Sequence, residues 1–141
     1  MFPSPHEVLP HGKDFILVDG ILQLEKGKSI ITYKDVSEKD FWYKDHFPSN
    51  PIMPGVILIE SMAQSCALLV LLSFEELKNK AFVLAGVKEA RFKKPIIPPT
   101  RILIRSEFES RKMNIWFFKC KAFQGEEELA YTQIIAADIK K

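Results

Sequence analysis

The chain holds three histidines in 141 residues: His6, His11 and His46. His46 lies in a stiff setting, Asp45-His46-Phe47-Pro48-Ser49-Asn50-Pro51-Ile52-Met53-Pro54-Gly55, with prolines at 48, 51 and 54. Proline fixes φ and removes a backbone donor, so a loop with this proline density keeps in place whatever it carries. Glu60 follows 14 residues after His46, inside an otherwise apolar run. A carboxylate taken out of water without a partner tends to hold its proton. Histidine takes a proton near neutrality, so His46 and Glu60 together make a base–acid pair. A helix beginning at Gly55 would present unpaired N–H groups, and with the helix dipole these would hold a developing oxyanion. A base that removes a proton α to a carbonyl, an N–H that steadies the enolate and an acid that protonates a departing hydroxyl add up to β-elimination of water.

These three groups need elements to position them. Gly55 to Leu72 is mostly apolar and predicts a helix of about 27 Å, with Pro54 at its first position. Its polar residues, Glu60, Ser61, Gln64 and Ser65, form one narrow stripe, so the helix is expected to be wrapped by other structure. The same run is long enough for a bilayer, but four polar residues, one of them a carboxylate, favour a soluble core over a membrane. Before it, Ser4-Pro5-His6-Glu7 predicts a short capped helix, ended by Pro10. Phe15–Leu24 and Ile30–Val36 predict strands about a turn at 26–28, and Glu38–Pro54 predicts a loop. Beyond the helix, Phe82–Val87, Arg101–Glu109, Asn114–Phe123 and Leu129–Ile139 predict four more strands, the last two joined by a turn at Gln124-Gly125-Glu126. Two strands, a buried helix and four strands give an α+β order, met by an antiparallel sheet curled round one central helix.

Length and composition fit one domain over residues 1–141, with no repeat or linker. With 20 basic and 18 acidic residues, the net charge of +2 excludes a strongly basic nucleic-acid binder. Cys66 and Cys120 form no CxxC pair and are expected to act as small buried hydrophobes; with three scattered histidines they predict no metal site. The N-terminal MFPSPHEVLP has neither a basic nor an apolar leader region, so a cytoplasmic setting is expected.

The run His46-Phe47-Pro48-Ser49-Asn50-Pro51-Ile52-Met53-Pro54-Gly55-Val56, followed by Glu60-Ser61-Met62-Ala63-Gln64, closely resembles the (3R)-hydroxyacyl-acyl carrier protein dehydratases of bacterial fatty-acid synthesis. Leu9-Pro10-His11 with Phe15–Asp19, Ala85-Gly86-Val87, Ala90-Arg91-Phe92 and Pro95–Pro98 extend the likeness over nearly the whole chain. The resemblance implies a hot-dog fold: an antiparallel sheet round a long central helix, dimerising side by side. It implies His46 as catalytic base and Glu60 as catalytic acid, contributed by opposite subunits of a homodimer, either alone or assembled as a trimer of dimers. It places the carbonyl-binding N–H at Gly55 and gives Gln64 the task of orienting Glu60. It implies no metal or redox cofactor, since the phosphopantetheine arm comes with the acyl carrier protein substrate. Three positions depart from the family's pattern: Asp45 and Ser49 where glycine is usual, and Pro99 in place of the glycine of a Pro-Gly-Asp. An Asp45 carboxylate close to His46 would favour the protonated ring. The departures also admit a specialised polyene or polyketide dehydratase. A hot-dog acyl thioesterase and a non-catalytic acyl-thioester-binding module are the competing readings.

From Lys78 to Arg105 eight basic residues stand against Glu89 alone. Acyl carrier proteins of this pathway are acidic, so Arg91, Lys93 and Lys94 are candidate docking contacts. No stacking motif accompanies the charge, which speaks against nucleic acid. Phe41, Trp42 and Tyr43 are candidates to line an acyl tunnel, or plain core. His11 is expected to serve packing and is assigned no chemistry.

Overall fold

The computed structural model describes residues 1–140. Six antiparallel strands form one sheet in the order β1-β2-β4-β5-β6-β3. In chain order they are β1 (Gly20–Glu25), β2 (Ser29–Val36), β3 (Lys80–Phe92), β4 (Thr100–Lys112), β5 (Ile115–Gln124) and β6 (Glu127–Lys140). A short helix α1 (Pro5–Val8) precedes the sheet, and the long helix α2 (Gly55–Ser73) lies between β2 and β3 in sequence. This is the expected hot-dog arrangement.

Helix α2 is the centre of the core. Leu58, Met62, Cys66, Leu68, Leu69 and Val70 are almost entirely removed from water and pack against Ile30, Ile102, Ile104, Phe118 and Ile134 of the sheet. Of its polar stripe, Ser61, Gln64 and Ser65 are buried as well and Glu60 is half-buried, and each member finds a partner. The Ser65 hydroxyl meets Thr32 Oγ1 at 2.7 Å, and Ser61 Oγ donates to the Ile57 carbonyl at 3.1 Å. Satisfied polar groups make such burial tolerable. Although α2 has the length and composition of a membrane span, the sheet wraps it. At one end of the sheet Trp116 sits among Phe74, Phe82 and Phe108, and its indole N–H donates to the buried Asp138 carboxylate at 2.7 Å.

The structure departs from the sequence reading in three places. The expected strand from Phe15 begins only at Gly20; residues 13–15 form a 3-10 turn instead. The Leu17 N–H donates to Gln64 Oε1 and the Phe15 carbonyl accepts from Gln64 Nε2, both at 2.8 Å, so a helix side chain takes the backbone groups a ladder would need. Ser4 occupies the N-cap of α1 without a side-chain cap bond, so the capping box does not form. Strand β3 runs well past Val87 to Phe92, passing Gly86 through irregularities at 84–86 and 87–89. Gly27, at φ 75°, supplies the left-handed residue of the β1–β2 turn, as expected.

Candidate active site

The loop carrying His46 is bonded to itself. The His46 carbonyl accepts from the Ile52 N–H at 2.7 Å, Phe47 and Asn50 exchange backbone bonds at 3.2 and 2.9 Å, and the Met53 N–H anchors the loop's end to the Ile96 carbonyl at 2.9 Å. The His46 ring stacks on Phe47 at 4.2 Å between centroids. Its Nδ1 lies 2.8 Å from the Ile52 carbonyl oxygen. A carbonyl only accepts, so Nδ1 carries the hydrogen and Nε2 keeps its lone pair. Thus Nδ1 is held by Ile52 rather than by the Asp45 carboxylate.

His46 faces a cavity of about 350 Å³ lined also by Gly55, Leu58, Phe92, Lys93 and Ile96. Helix α2 starts there, at Gly55, and Pro54 offers no side chain to cap the first N–H groups. These groups have no partner within the helix and point where an anion or a polarised carbonyl would be stabilised. A Cβ on residue 55 would stand 3.0 Å from the Phe92 ring, so glycine is what lets the helix start approach β3 this closely.

Glu60 lies one and a half turns along α2 and lines a different cavity, of about 210 Å³, with His11, Ala63, Gln64, Ala67 and residues 82–84. Gln64, only 1% exposed, donates through Nε2 to Glu60 Oε2 at 3.1 Å while its other bonds fix it to Phe15 and Leu17. The His11 Nε2 stands 3.7 Å from the same Oε2. Sequence reasoning assigned His11 no chemistry; it is 49 residues from Glu60, and no spacing pattern connects them.

Within one chain, therefore, Gly55 and His46 share one cavity, Glu60 and Gln64 share another, and the two linings have no residue in common. Phe41 is 62% exposed, whereas Trp42 is in the core with Tyr43 packed against it, and none of the three lines either cavity. Cys66 and Cys120 are buried free thiols with Sγ atoms 3.3 Å apart, and burial pushes the Cys66 thiol well above its ordinary range. Among the described residues no cluster of His, Cys, Asp and Glu is arranged to hold a metal.

The candidate docking cations are less free than the sequence suggests. Lys93 pairs with Glu128, Lys94 with Glu127 and Arg91 with Glu89. The Lys93 ammonium holds the Glu128 carboxyl below its ordinary range. Two of these acids lie on β6, beyond the window in which the sequence counted charge.

The proteins named 3-hydroxyacyl-[acyl-carrier-protein] dehydratase FabZ from Wolbachia pipientis and Dechloromonas aromatica are 38% and 40% identical to this chain. The alignments cover 92% and 93% of this chain, and 90% and 92% of those proteins. Among solved structures, the dehydratase heterocomplex ApeI:P from Xenorhabdus doucetiae superposes with a TM-score of 0.86 at 15% identity, over 100% of this chain and 94% of that one. A mutant thioesterase from Pseudomonas aeruginosa matches with a TM-score of 0.68 at 9% identity, over 91% and 85% of the two chains. At such identities these two likenesses concern the fold alone. The model of the FabA-like domain matches residues 9–133, which include His11, the His46 loop, all of α2 and most of the sheet, and the chain belongs to the FabA-like family.

Proposed function

We propose that this protein dehydrates a (3R)-hydroxyacyl thioester carried on acyl carrier protein, giving the trans-2-enoyl thioester of fatty-acid synthesis. The name shared by its relatives supports that substrate and reaction. In this reading the thioester carbonyl accepts from the Gly55 N–H, which draws electron density from the α-carbon. His46 Nε2 removes the α-proton. Glu60, protonated, gives its proton to the β-hydroxyl, which leaves as water, and the new α,β double bond forms. No step calls for a metal or redox group, and the phosphopantetheine arm belongs to the substrate. Lys93 and Lys94, which line the His46 cavity, and Arg91, which precedes Phe92 on β3, would exchange their internal carboxylates for those of an acidic carrier.

The observation that carries the proposal is the placement of the two half-sites along one unpaired strand. β3 is a sheet edge, hydrogen-bonded to β6 on one side only. It leaves Val83, Leu84, Val87 and Phe92 exposed, at 43%, 42%, 36% and 49%. The Glu60 cavity borders its first part through residues 82–84, and the His46 cavity borders its end through Phe92. A second copy paired antiparallel about a two-fold axis near Val87 covers this edge and sets residues 82–84 of each copy against Phe92 of the other. Each Glu60 half-site then meets the partner's His46 half-site. The active unit is thus a homodimer with sites at its interface, acting in the cytoplasm where its carrier substrate is made.

Mass spectrometry of a short (3R)-hydroxyacyl-acyl carrier protein incubated with the wild type, His46→Ala and Glu60→Gln tests the reaction. Loss of one water with the wild type, and near-complete loss of that activity in both variants, is expected. An intact hydroxyacyl chain, or released free acid, overturns the proposal.

A further inference from the structure

The Glu60 carboxylate is approached by two nitrogen groups, and both come to the same oxygen. Gln64 Nε2 donates to Oε2 at 3.1 Å, and His11 Nε2 lies 3.7 Å from Oε2. The His11 ring is held from behind by a near-parallel stack on Phe15, at 6.1 Å and 18°. Phe15 is itself tied to Gln64 through its carbonyl, so the three residues form one unit around Oε2. The other ring nitrogen, His11 Nδ1, is buried and has no partner among the described residues. An orphaned buried N–H is rarer than an orphaned acceptor, so the ring hydrogen sits on Nε2, the atom facing Glu60.

From this we infer that His11 is a positioning residue for the dehydration. With Gln64 it engages Oε2, so the acid's proton resides on Oε1, the oxygen left for the substrate's β-hydroxyl. Once that proton has gone to the departing water, the carboxylate keeps two donors on Oε2. The 3.7 Å separation is longer than a hydrogen bond, and it closes when substrate and the partner's His46 half-site complete the cavity, as such contacts tighten in Michaelis complexes. The inference rests on the dehydratase reading above. His11 touches no reacting atom; it acts through Glu60.

Steady-state kinetics of His11→Phe and His11→Gln, beside the wild type, decide the matter. Phenylalanine keeps the stack on Phe15 and removes the N–H. Glutamine gives up the ring but returns an N–H at the reach of Nε2. The expected result is a kcat about tenfold lower for His11→Phe with KM within about twofold, and recovery of most of the lost kcat in His11→Gln. A His11→Phe enzyme within about twofold of wild-type kcat overturns the inference. So does an equal loss in both variants, since the N–H returned by glutamine would then restore nothing. If His11→Phe melts below the assay temperature, His11→Asn, whose amide stops short of Nε2, takes its place with the same expected loss. A wild type that removes no water refutes the dehydratase reading itself, and the inference with it, before any variant is compared.

Discussion

Replacing Gln64 with leucine separates what this side chain does for the fold from what it does for the acid. Leucine has a similar volume, so the substitution opens little cavity at a site only 1% exposed. It does remove three hydrogen bonds: from the Leu17 N–H, to the Phe15 carbonyl and to Glu60. Leu17 is 3% exposed, so its N–H is left without water, at a cost of about 1–3 kcal/mol. The Phe15 carbonyl is only part-buried and recovers water, adding about 1 kcal/mol. A loss near 3 kcal/mol is expected in urea unfolding at fixed protein concentration, with the m-value unchanged and the melting temperature lower by about 10 °C. Activity falls as well, because Glu60 loses its Gln64 donor. Gln64→Glu is the control: it keeps an acceptor for Leu17 but sets a second carboxylate against Glu60, so its activity at neutral pH suffers more than its stability. A Gln64→Leu protein within about 0.5 kcal/mol of the wild type would mean that the Phe15–Leu17 backbone is satisfied by something other than this side chain.

Other consequences follow from the same contacts. Asp138, 4% exposed, accepts from Trp116 and pairs with Lys80; Asp138→Ala should cost about 2–4 kcal/mol by chemical denaturation, and Asp138→Asn, which keeps an acceptor, clearly less. The Arg101 guanidinium, bonded to Asp35 through both Nε and Nη2, holds that carboxyl below its ordinary value of 3.8. A lowered folded-state value means stabilisation that is complete above 3.8 and fades as the pH falls below it, so an acid titration of stability should lose part of its slope in Arg101→Ala. Val87→Lys on the open edge of β3 should yield a folded monomer by light scattering, with native far-ultraviolet circular dichroism and no dehydratase activity.

The His46 loop, the helix start at Gly55 and Glu60 were legible in the sequence because they are close together in the chain and their residue types are restrictive: prolines that stiffen, a glycine that permits close approach, a carboxylate in an apolar run. Helix α2 was legible for an apolar surface interrupted by a single narrow polar stripe, and β2, β4, β5 and β6 for their alternation or apolarity. What was hidden depends on partners distant in sequence. The Phe15–Leu17 stretch reads as strand, since nothing local reveals that Gln64 will take its backbone bonds. β3 looked short because its second half is open on both faces and so shows no alternation. His11 shares in the family likeness but shows no role until the fold sets it beside Glu60. Lys93 and Lys94 looked unopposed because Glu127 and Glu128 reach them only through the pairing of β3 with β6.

Mixing two inactive variants shows whether one site draws its residues from two chains. His46→Ala and Glu60→Gln are each expected to be nearly inactive, and each keeps the half-site the other lacks. After unfolding and refolding together in equal amounts, roughly half the dimers carry one chain of each kind, and one of the two sites in such a dimer is intact. About one quarter of wild-type dehydration is expected to return on mixing, and none when either variant is refolded alone. A mixture that stays as inactive as its components, although light scattering finds dimers and tagged copies co-purify, would contradict a site built from His46 of one chain and Glu60 of another.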